Sequence, residues 1–256
     1  MASLRDSLML EDGGVVAFVG AGGKTSLMFR IAHELSKADG PVLSTTTTKI
    51  MMPDRNQSPH VILADTPEEV LKKAEALLKD NIHLSAAAGK LPYQDKLVGF
   101  QPEYIDVLFK AGMFRWILLE GDGAAGRPLK VPKSNEPVIP KCAGWVVGVV
   151  GLDCIGKPLE ERWVYRSDIY AEVTGLKMGE PVTEASIAAA IINKKGIMKG
   201  CPSNAMRFVF LNKADRKEDL EAGRRIARLL KTESEIGIER IIIGKALDES
   251  PVVEYY

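Results

Sequence analysis

The chain has 256 residues, and its 34 lysines and arginines balance 34 aspartates and glutamates, so the formal net charge is zero. With 46% hydrophobic and 27% charged residues it has the composition of an ordinary globular protein. A zero net charge excludes a long-range positive field, so we expect no binding to nucleic acid or to an anionic membrane. The three cysteines, Cys142, Cys154 and Cys201, are far apart and have no nearby histidine, which argues against a zinc knuckle or a disulfide framework.

The sequence carries no signal for secretion or membrane insertion. Residues 1–6 have no apolar core like that of a signal peptide. The longest apolar run, residues 145–150 (WVVGVV), is too short to span a bilayer. We therefore expect a cytoplasmic protein.

The first predicted unit is a strand, a glycine loop and a helix. Residues 15–19 are an apolar run rich in β-branched side chains, and glycines at positions 20, 22 and 23 end it. Apolar residues at positions 27, 28, 31, 32 and 35 then have helical spacing. Residues 42–45 predict a second strand, and Thr66-Pro67-Glu68-Glu69 predicts a helix start with threonine as the N-cap.

Strands and helices continue to alternate along the rest of the chain. The further predicted strands are residues 82–85, 116–119, 145–150, 207–211 and 238–243, and the further predicted helices are residues 102–110, 183–195 and 217–230. Such alternation implies βαβ units. The predicted fold class is therefore α/β, with a mostly parallel sheet flanked by helices, P-loop NTPase-like.

Residues 121–142 are a long stretch without a predicted element. They are rich in glycine, proline and lysine and show no periodicity. Because long irregular loops inside compact domains tend to be functional, we predict a functional loop here. No repeat or linker divides the chain, so we predict a single domain over residues 1–256.

The sharpest local signal is the loop Gly20-Ala21-Gly22-Gly23-Lys24-Thr25-Ser26. Glycines let backbone N–H groups close around phosphate oxygens, and the helix that follows adds the positive end of its dipole. Lys24 is expected to reach the β- and γ-phosphates of a nucleotide, and the Thr25 hydroxyl to bind Mg²⁺. The usual pattern GxxxxGK[ST] has a glycine where this chain has Phe18, so the loop is shortened to GxGGKT, close in length to that of Mur-type ligases.

Two carboxylates follow the apolar strand at residues 116–119. Glu120 and Asp122 lie where a Walker-B carboxylate holds the Mg²⁺ shell or orients a water molecule. Two carboxylates so close together repel each other unless a cation lies between them, which favours a metal site. Both residues are candidates for metal binding and for catalysis together with Lys24.

A third motif, Asn212-Lys213-Ala214-Asp215, ends the strand at residues 207–211. Many GTPases read guanine with Asn-Lys-x-Asp. The aspartate accepts hydrogen bonds from guanine N1–H and the exocyclic amine, the lysine packs over the base, and the asparagine ties the motif to the phosphate loop. The sequence therefore predicts GTP as the bound nucleotide, with ATP as the alternative.

Two further segments are weaker candidates. Four threonines at positions 45–48 follow the second strand, where P-loop NTPases complete the Mg²⁺ or γ-phosphate shell, although an edge strand has the same composition. We predict a ligand role for Thr47 or Thr48. Arg127 and Lys130 make the irregular loop basic, so they either hold a second anionic substrate or are merely solvated.

Taken together, these motifs resemble the YqeC family, described as selenium-dependent hydroxylase accessory or selenium cofactor biosynthesis proteins. The matching segments are residues 20–26 (GAGGKTS), 45–49 (TTTTK), 120–132 (EGDGAAGRPLKVP), 136–140 (EPVIP), 149–153 (VVGLD) and 211–215 (LNKAD). The resemblance implies a role near a selenium-containing molybdenum hydroxylase or its maturation proteins.

A looser similarity is to the metal-insertion GTPases that serve urease, hydrogenase and B12-dependent mutases. Those proteins also carry a strand ending in Glu-x-x-Gly, here Glu120 to Gly123, and an Asn-Lys-x-Asp motif. Their phosphate loop is longer than the loop of this chain. Where this chain has threonines, they have an aspartate that helps hydrolysis. By fold-level analogy, we expect a homodimer that forms across the phosphate loops.

Three functions are consistent with these residues. The first is an accessory protein that binds GTP and Mg²⁺ during hydroxylase cofactor maturation, with slow hydrolysis as a timer. The second is an ATP- or GTP-dependent kinase or ligase that acts on a small anionic substrate held by Arg127 and Lys130. The third is a non-catalytic scaffold whose nucleotide site serves only structure or partner docking.

Overall fold

The structure is a computed structural model that describes residues 3–79, 82–233 and 236–256. The helices of the described part are α1 (Leu4–Ser7), α2 (Lys24–Ala38), α3 (Pro67–Leu77), α4 (Pro102–Lys110), α5 (Ser167–Thr174), α6 (Glu184–Ile192) and α7 (Lys217–Glu233). Its strands are β1 (Gly14–Gly20), β2 (Val42–Thr46), β3 (Lys49–Met51), β4 (Val61–Leu63), β5 (His83–Ala87), β6 (Gly89–Lys90), β7 (Lys96–Val98), β8 (Trp116–Glu120), β9 (Leu129–Lys130), β10 (Trp145–Gly151), β11 (Val164–Tyr165), β12 (Met206–Asn212), β13 (Ile238–Gly244) and β14 (Val252–Tyr255). A 3-10 turn (Leu152–Cys154) follows β10.

The main sheet has nine strands in the order β14-β13-β12-β10-β1-β8-β2-β5-β4. Every pair in it is parallel except β13 with β14, which is antiparallel. Strand β1 lies near the middle, between β8 and β10. The predicted α/β class with a mostly parallel sheet flanked by helices is confirmed.

Alternate residues of β1 belong to two hydrophobic clusters, one on each face of the sheet. Val15 and Val19 pack in the cluster that also holds the buried residues of α3 to α7. Val16 and Phe18 pack in the other cluster with α1 and α2. Because β1 is buried on both faces, its sequence is a continuous apolar run rather than an alternating one.

The helical spacing predicted after the glycine loop matches the buried face of α2, whose residues 27, 28, 31, 32 and 35 are all buried. Thr66 caps α3 as predicted, and its side chain accepts a hydrogen bond from the Glu69 N–H. Helix α6 begins after the N-cap Thr183 but ends at Ile192, before the predicted end at residue 195. It ends there because the next residue, Asn193, has extended backbone with ψ of 138°.

Two small sheets lie beside the main one, and the sequence indicated neither. Strands β3, β7 and β6 form an antiparallel three-stranded sheet next to the end of β2. Strand β9, inside the irregular loop at residues 121–142, pairs with β11. In the described residues, no helix is long and apolar enough to cross a membrane.

Candidate functional site

The carboxyl ends of the central parallel strands bring the predicted motifs to one edge of the sheet. Gly20 ends β1, Glu120 ends β8, and Asn212 ends β12. Strand β8 is the direct neighbour of β1, and β12 is separated from β1 only by β10. Ligands of open α/β sheets bind at such an edge, so this edge is the candidate site.

The loop after β1 requires glycine at three positions, because the backbone there has positive φ. The φ angles are 90° at Gly20, 84° at Gly22 and 118° at Gly23. A Cβ atom would lie 2.4 Å from the Val149 carbonyl oxygen at Gly20, and 2.2 Å from the Gly151 nitrogen at Gly22. At these positions an alanine would therefore be both strained and sterically blocked.

Two backbone hydrogen bonds fix the first half of the loop, and its second half continues into the start of α2. The Ala21 N–H donates to Val149 and the Gly22 N–H to Arg127, which fixes the first half of the loop. Helix α2 begins at Lys24, and its N-cap Gly23 provides no side-chain cap. The first N–H groups of a helix have no partner inside the helix, so this end can bind an anion with the help of the helix dipole.

Lys24 is buried inside the loop rather than extended away from it. Its ammonium donates to the Gly20 carbonyl at 2.5 Å and lies 3.2 Å from an Asp122 oxygen and 3.5 Å from a Glu120 oxygen. Burial alone lowers the pKa of Lys24, but the charges of Asp122 and Glu120 outweigh burial and raise the pKa. The lysine is therefore charged and lies beside the loop that we predicted to bind phosphate.

Glu120 and Asp122 are in different surroundings. The Thr25 hydroxyl donates to Glu120 at 2.6 Å, and Glu120 lines the cavity above the loop. Asp122 is fully buried, accepts from the Gly20 N–H at 3.3 Å and pairs with Lys130 at 2.9 Å. Thr25 and Glu120 together offer the hard oxygen ligands that Mg²⁺ prefers, so these two residues fit a magnesium ion.

Lys130 begins a chain of ion pairs that leads from the buried Asp122 to the half-buried Glu136 and Arg166. Besides Asp122, its ammonium contacts Glu136 at 2.9 Å and donates to the Gly123 carbonyl at 2.7 Å. Arg166 forms a bidentate ion pair with the same Glu136 carboxylate. Burial alone raises the pKa of Glu136, but hydrogen bonds from Arg166 and the charge of Lys130 outweigh burial and lower the pKa to about 2.

The structure therefore places Lys130 differently from the expected second-substrate position. Its side chain is 0% exposed, and its ammonium is already occupied by two carboxylates and a carbonyl. Arg127, by contrast, lines the cavity above the phosphate loop. Its guanidinium donates to the carbonyls of Glu161 and Ala125.

The threonine run holds neighbouring backbone with three of its hydroxyls. Thr45 donates to the Ala86 carbonyl at 2.8 Å, Thr46 to the Glu120 carbonyl at 2.9 Å and Thr47 to the Val138 carbonyl at 2.6 Å. The Thr47 hydroxyl is the group predicted to bind Mg²⁺. Its hydrogen bond to Val138 instead joins the irregular loop to the chain just after β2. Metal binding by Thr47 stays a prediction.

The Asn-Lys-x-Asp motif meets the phosphate loop directly. The Asn212 amide donates to the Gly22 carbonyl at 2.7 Å and accepts from the Ala246 N–H at 2.9 Å. Lys213, with φ of 65°, pairs with Asp153 at 2.8 Å. Asn212 therefore connects the phosphate loop to the segment after β13.

Asp215 lies at a separate cavity beside this motif. The cavity has a volume of about 320 Å³, and residues 245–248 form its other wall. Sequence reasoning missed that wall and missed Asp153. The position of residues 245–248 just after the last parallel strand was the available signal, because that strand ends at the same edge of the sheet.

A larger cavity of about 610 Å³ lies over the phosphate loop and shares Gly23, Ser26 and Lys213 with the smaller one. The shared residues place the two cavities side by side. Two lysines on the small three-stranded sheet, Lys49 and Lys96, also line the larger cavity and were not predicted. A strand, a glycine loop and a helix follow one another here, and a carboxylate ends the neighbouring strand, which makes the fold P-loop NTPase-like.

Comparison with known proteins identifies the family of this chain. The model of the YqeC family, described as YqeC protein, matches residues 16–168, more than half of the 256 residues. The chain is 32% identical over 239 residues to the uncharacterized protein YqeC of Escherichia coli (strain K12), covering 93% of this chain and 90% of that protein. Among solved structures, FtsY from Mycoplasma mycoides is similar, with 12% identity and a TM-score of 0.40 over 96% of this chain and 67% of that one. The family match and the identity to the Escherichia coli relative show that this chain belongs to the YqeC family.

Proposed function

We propose that the protein binds GTP with Mg²⁺ and acts as an accessory protein in the maturation of a selenium- or molybdenum-containing hydroxylase. The observation that carries the nucleotide part is the bridge made by Asn212. One side chain joins the Gly22 carbonyl of the phosphate loop to the wall of the cavity at Asp215. A nucleotide with its phosphates over the loop and its base in the smaller cavity fits this continuous arrangement.

The phosphates are expected to bind the free N–H groups at the start of α2 and the Lys24 ammonium. Lys24 has to leave the Gly20 carbonyl, which it contacts at 2.5 Å, to reach a phosphate. Mg²⁺ is expected beside Thr25 and Glu120, where it neutralises charge on the phosphates. Because Asp122 is expected to stay paired with Lys130, we assign Glu120 as the carboxylate that binds Mg²⁺.

The base is expected to be guanine because Asp215 is exposed at the smaller cavity. The structure gives its carboxylate no ion pair among the described residues, which leaves both oxygens able to accept from guanine N1–H and the exocyclic amine. Adenine offers no such pair of donors. Sites that hydrogen-bond a polar edge can reject the wrong edge by about 10⁴-fold.

The role in maturation rests on the family, with slow GTP hydrolysis as a timer. A hydroxylase client, or one of its maturation proteins, and a homodimeric state are parts of the same proposal. The test is complementation of a host lacking this protein, with hydroxylase activity as the readout. Wild-type chain should restore activity, and Lys24→Ala, which removes the phosphate-binding ammonium, should not. Full restoration by Lys24→Ala would instead support the non-catalytic scaffold.

A second candidate function, transfer of a phosphoryl group to a small anionic acceptor, is favoured by the cations of the larger cavity. Lys49, Lys96 and Arg127 line it, and in the described part of the chain none of them pairs with a carboxylate. They provide positive charge beyond what Lys24 supplies. Product analysis with labelled GTP separates the two functions, because free phosphate supports the timer and a labelled acceptor supports the transferase.

A further inference from the structure

A separate cavity of about 950 Å³ lies on the other side of the irregular loop. Its walls are the segment at residues 132–134, helix α5, and the end of α6 with the turn that follows. None of its lining residues lines the cavities at the phosphate loop or at Asp215. Its volume is within the range of about 300–1,000 Å³ that is typical of small-molecule sites.

The walls of this cavity are held together by side chains that bind backbone across it. The Asn193 amide donates to the Val173 carbonyl of α5 at 3.2 Å. The Lys199 ammonium donates to the carbonyls of Lys133 at 2.8 Å and Ser134 at 2.7 Å. These bonds join all three walls, so the cavity is preformed.

The turn between Asn193 and Lys199 is itself tightly built. A Cβ atom on Gly196 would lie 2.0 Å from the Ala190 carbonyl oxygen, so only glycine lets the chain pass this close to α6. The Gly196 N–H donates to the Asn193 carbonyl at 2.7 Å, and the Ile197 N–H returns to Ala190 at 2.8 Å. The turn therefore fixes the backbone of the lysines on either side of Gly196 at the rim.

The lining combines an apolar surface with an excess of positive charge. Ile169, Val173 and Ile192 supply the apolar part. The charged lining residues are Lys133, Lys194, Lys195 and Lys199, against Glu172 alone. Within the described residues, no carboxylate pairs with any of these four lysines.

A neighbouring cavity of about 430 Å³ continues the same groove. It shares Ile192, Asn193, Lys194 and Lys199 with the larger cavity and adds Arg207. The positive rim therefore extends beyond the first cavity. A ligand that complements this surface has an apolar body and more than one negative charge.

We propose that this cavity is a second ligand site, which binds a small organic molecule with an apolar body and a dianionic phosphate monoester group. The apolar body packs on Ile169, Val173 and Ile192, and the phosphate is held by Lys194, Lys195 or both. This site is independent of the nucleotide site, since the two share no lining residue.

The test uses flavin mononucleotide as a fluorescent probe and riboflavin, which lacks the phosphate, as its matched partner. Binding to the full chain is followed by fluorescence anisotropy without added nucleotide, and the lysine variants described below distinguish this cavity from the phosphate loop. We expect saturable binding of flavin mononucleotide, and binding of riboflavin weaker by at least about tenfold, because the charge-assisted hydrogen bonds are lost.

Variants at exposed positions locate the site without disturbing the core. Lys194→Glu with Lys195→Glu should weaken flavin mononucleotide at least about tenfold. Lys37→Glu with Lys72→Glu changes net charge equally at two exposed lysines of α2 and α3 and should leave binding unchanged. The proposal is overturned if no saturable binding is seen, if riboflavin binds equally well, or if both double variants behave alike.

Discussion

Replacing Asp122 by asparagine should destabilise the fold, whereas replacing Glu120 by glutamine should mainly weaken magnesium-dependent nucleotide binding. Asp122 is fully buried and pairs at 2.9 Å with Lys130, whose side chain is 0% exposed. Breaking a buried ion pair by removing one partner costs about 3–5 kcal/mol. Lys130 keeps Glu136 at 2.9 Å, and Lys24, which also loses Asp122, keeps Glu120 at 3.5 Å, so we expect the lower end of that range, about 3 kcal/mol.

The assay for Asp122→Asn is urea unfolding followed by tryptophan fluorescence. With a urea m value of about 3 kcal/mol/M, a loss of about 3 kcal/mol lowers the unfolding midpoint by about 1 M. Glu120→Gln keeps an oxygen for the Thr25 hydroxyl, and Lys24 keeps Asp122 at 3.2 Å, so its midpoint should shift by much less. If Asp122→Asn is as stable as the wild type, the buried ion pairs of Asp122 with Lys130 and Lys24 do not support the fold as described.

The second half of the same experiment is nucleotide binding with and without Mg²⁺. Glu120→Gln should reduce the gain in affinity that Mg²⁺ provides by about tenfold or more, as is typical when a group beside a metal is altered. The folded fraction of Asp122→Asn should retain most of that gain, since Asp122 does not line the cavity. The reverse result would assign the metal to Asp122.

Three further predictions concern the base, the loop and pH. Asp215→Asn should lower the preference for GTP over ATP at least about tenfold in competition binding, since asparagine keeps one acceptor oxygen but has an NH2 donor in place of the other, which loses one hydrogen bond to a charged group worth about 1.5–3 kcal/mol. Gly23→Ala should abolish nucleotide binding and lower the free energy of unfolding more than Gly40→Ala does. A Cβ at Gly23 would lie 2.3 Å from the Asn212 amide nitrogen, whereas a Cβ at Gly40, which has a similar φ of 107°, would meet open space. Burial, with a smaller effect of a nearby histidine, lowers the pKa of His83 to about 4 from 6.5. As pH falls, His83 therefore takes up its proton in the unfolded chain before it does so in the folded chain. The free energy of unfolding, measured by urea unfolding, should fall by about 2–3 kcal/mol between pH 6.5 and about pH 4.

Each of these predictions has a matched control. Asp12→Asn alters an exposed carboxylate away from the cavities and should leave the GTP preference intact, so an equal effect in both variants would contradict the base assignment. Equal stability of Gly23→Ala and Gly40→Ala would remove the steric argument. The acid loss of stability should be smaller in His83→Gln, and an unchanged loss would show that another group carries it.

Much of the central sheet could be predicted from the sequence because its strands are buried on both faces. Strands such as β1 and β10 are short, nearly continuous apolar runs, as expected of strands that are covered on both sides. Strand β4 and the small sheet of β3, β6 and β7 were missed. They have two or three residues each with half-exposed patterns, so neither length nor periodicity marks them.

The site could be predicted as a set of motifs but not as a set of contacts. Glu120 and Asp122 are indistinguishable in the sequence, and only the fold shows that Lys130 returns from the irregular loop to pair with one of them. The cations Lys49 and Lys96 belong to strands that lie far apart along the chain. Their proximity at one cavity is a property of the tertiary fold, which no local pattern encodes.

The central claim, that the phosphate loop and Asp215 form one site for Mg²⁺ and GTP, is tested most directly by calorimetric titration of nucleotide-stripped protein. Non-hydrolysable GTP and ATP analogues are each titrated with Mg²⁺ and with EDTA. We predict tight binding of the GTP analogue that depends on Mg²⁺, and much weaker binding of the ATP analogue. Preference for the ATP analogue would contradict the assignment of guanine to the cavity at Asp215, and absence of binding by both would contradict the nucleotide site itself.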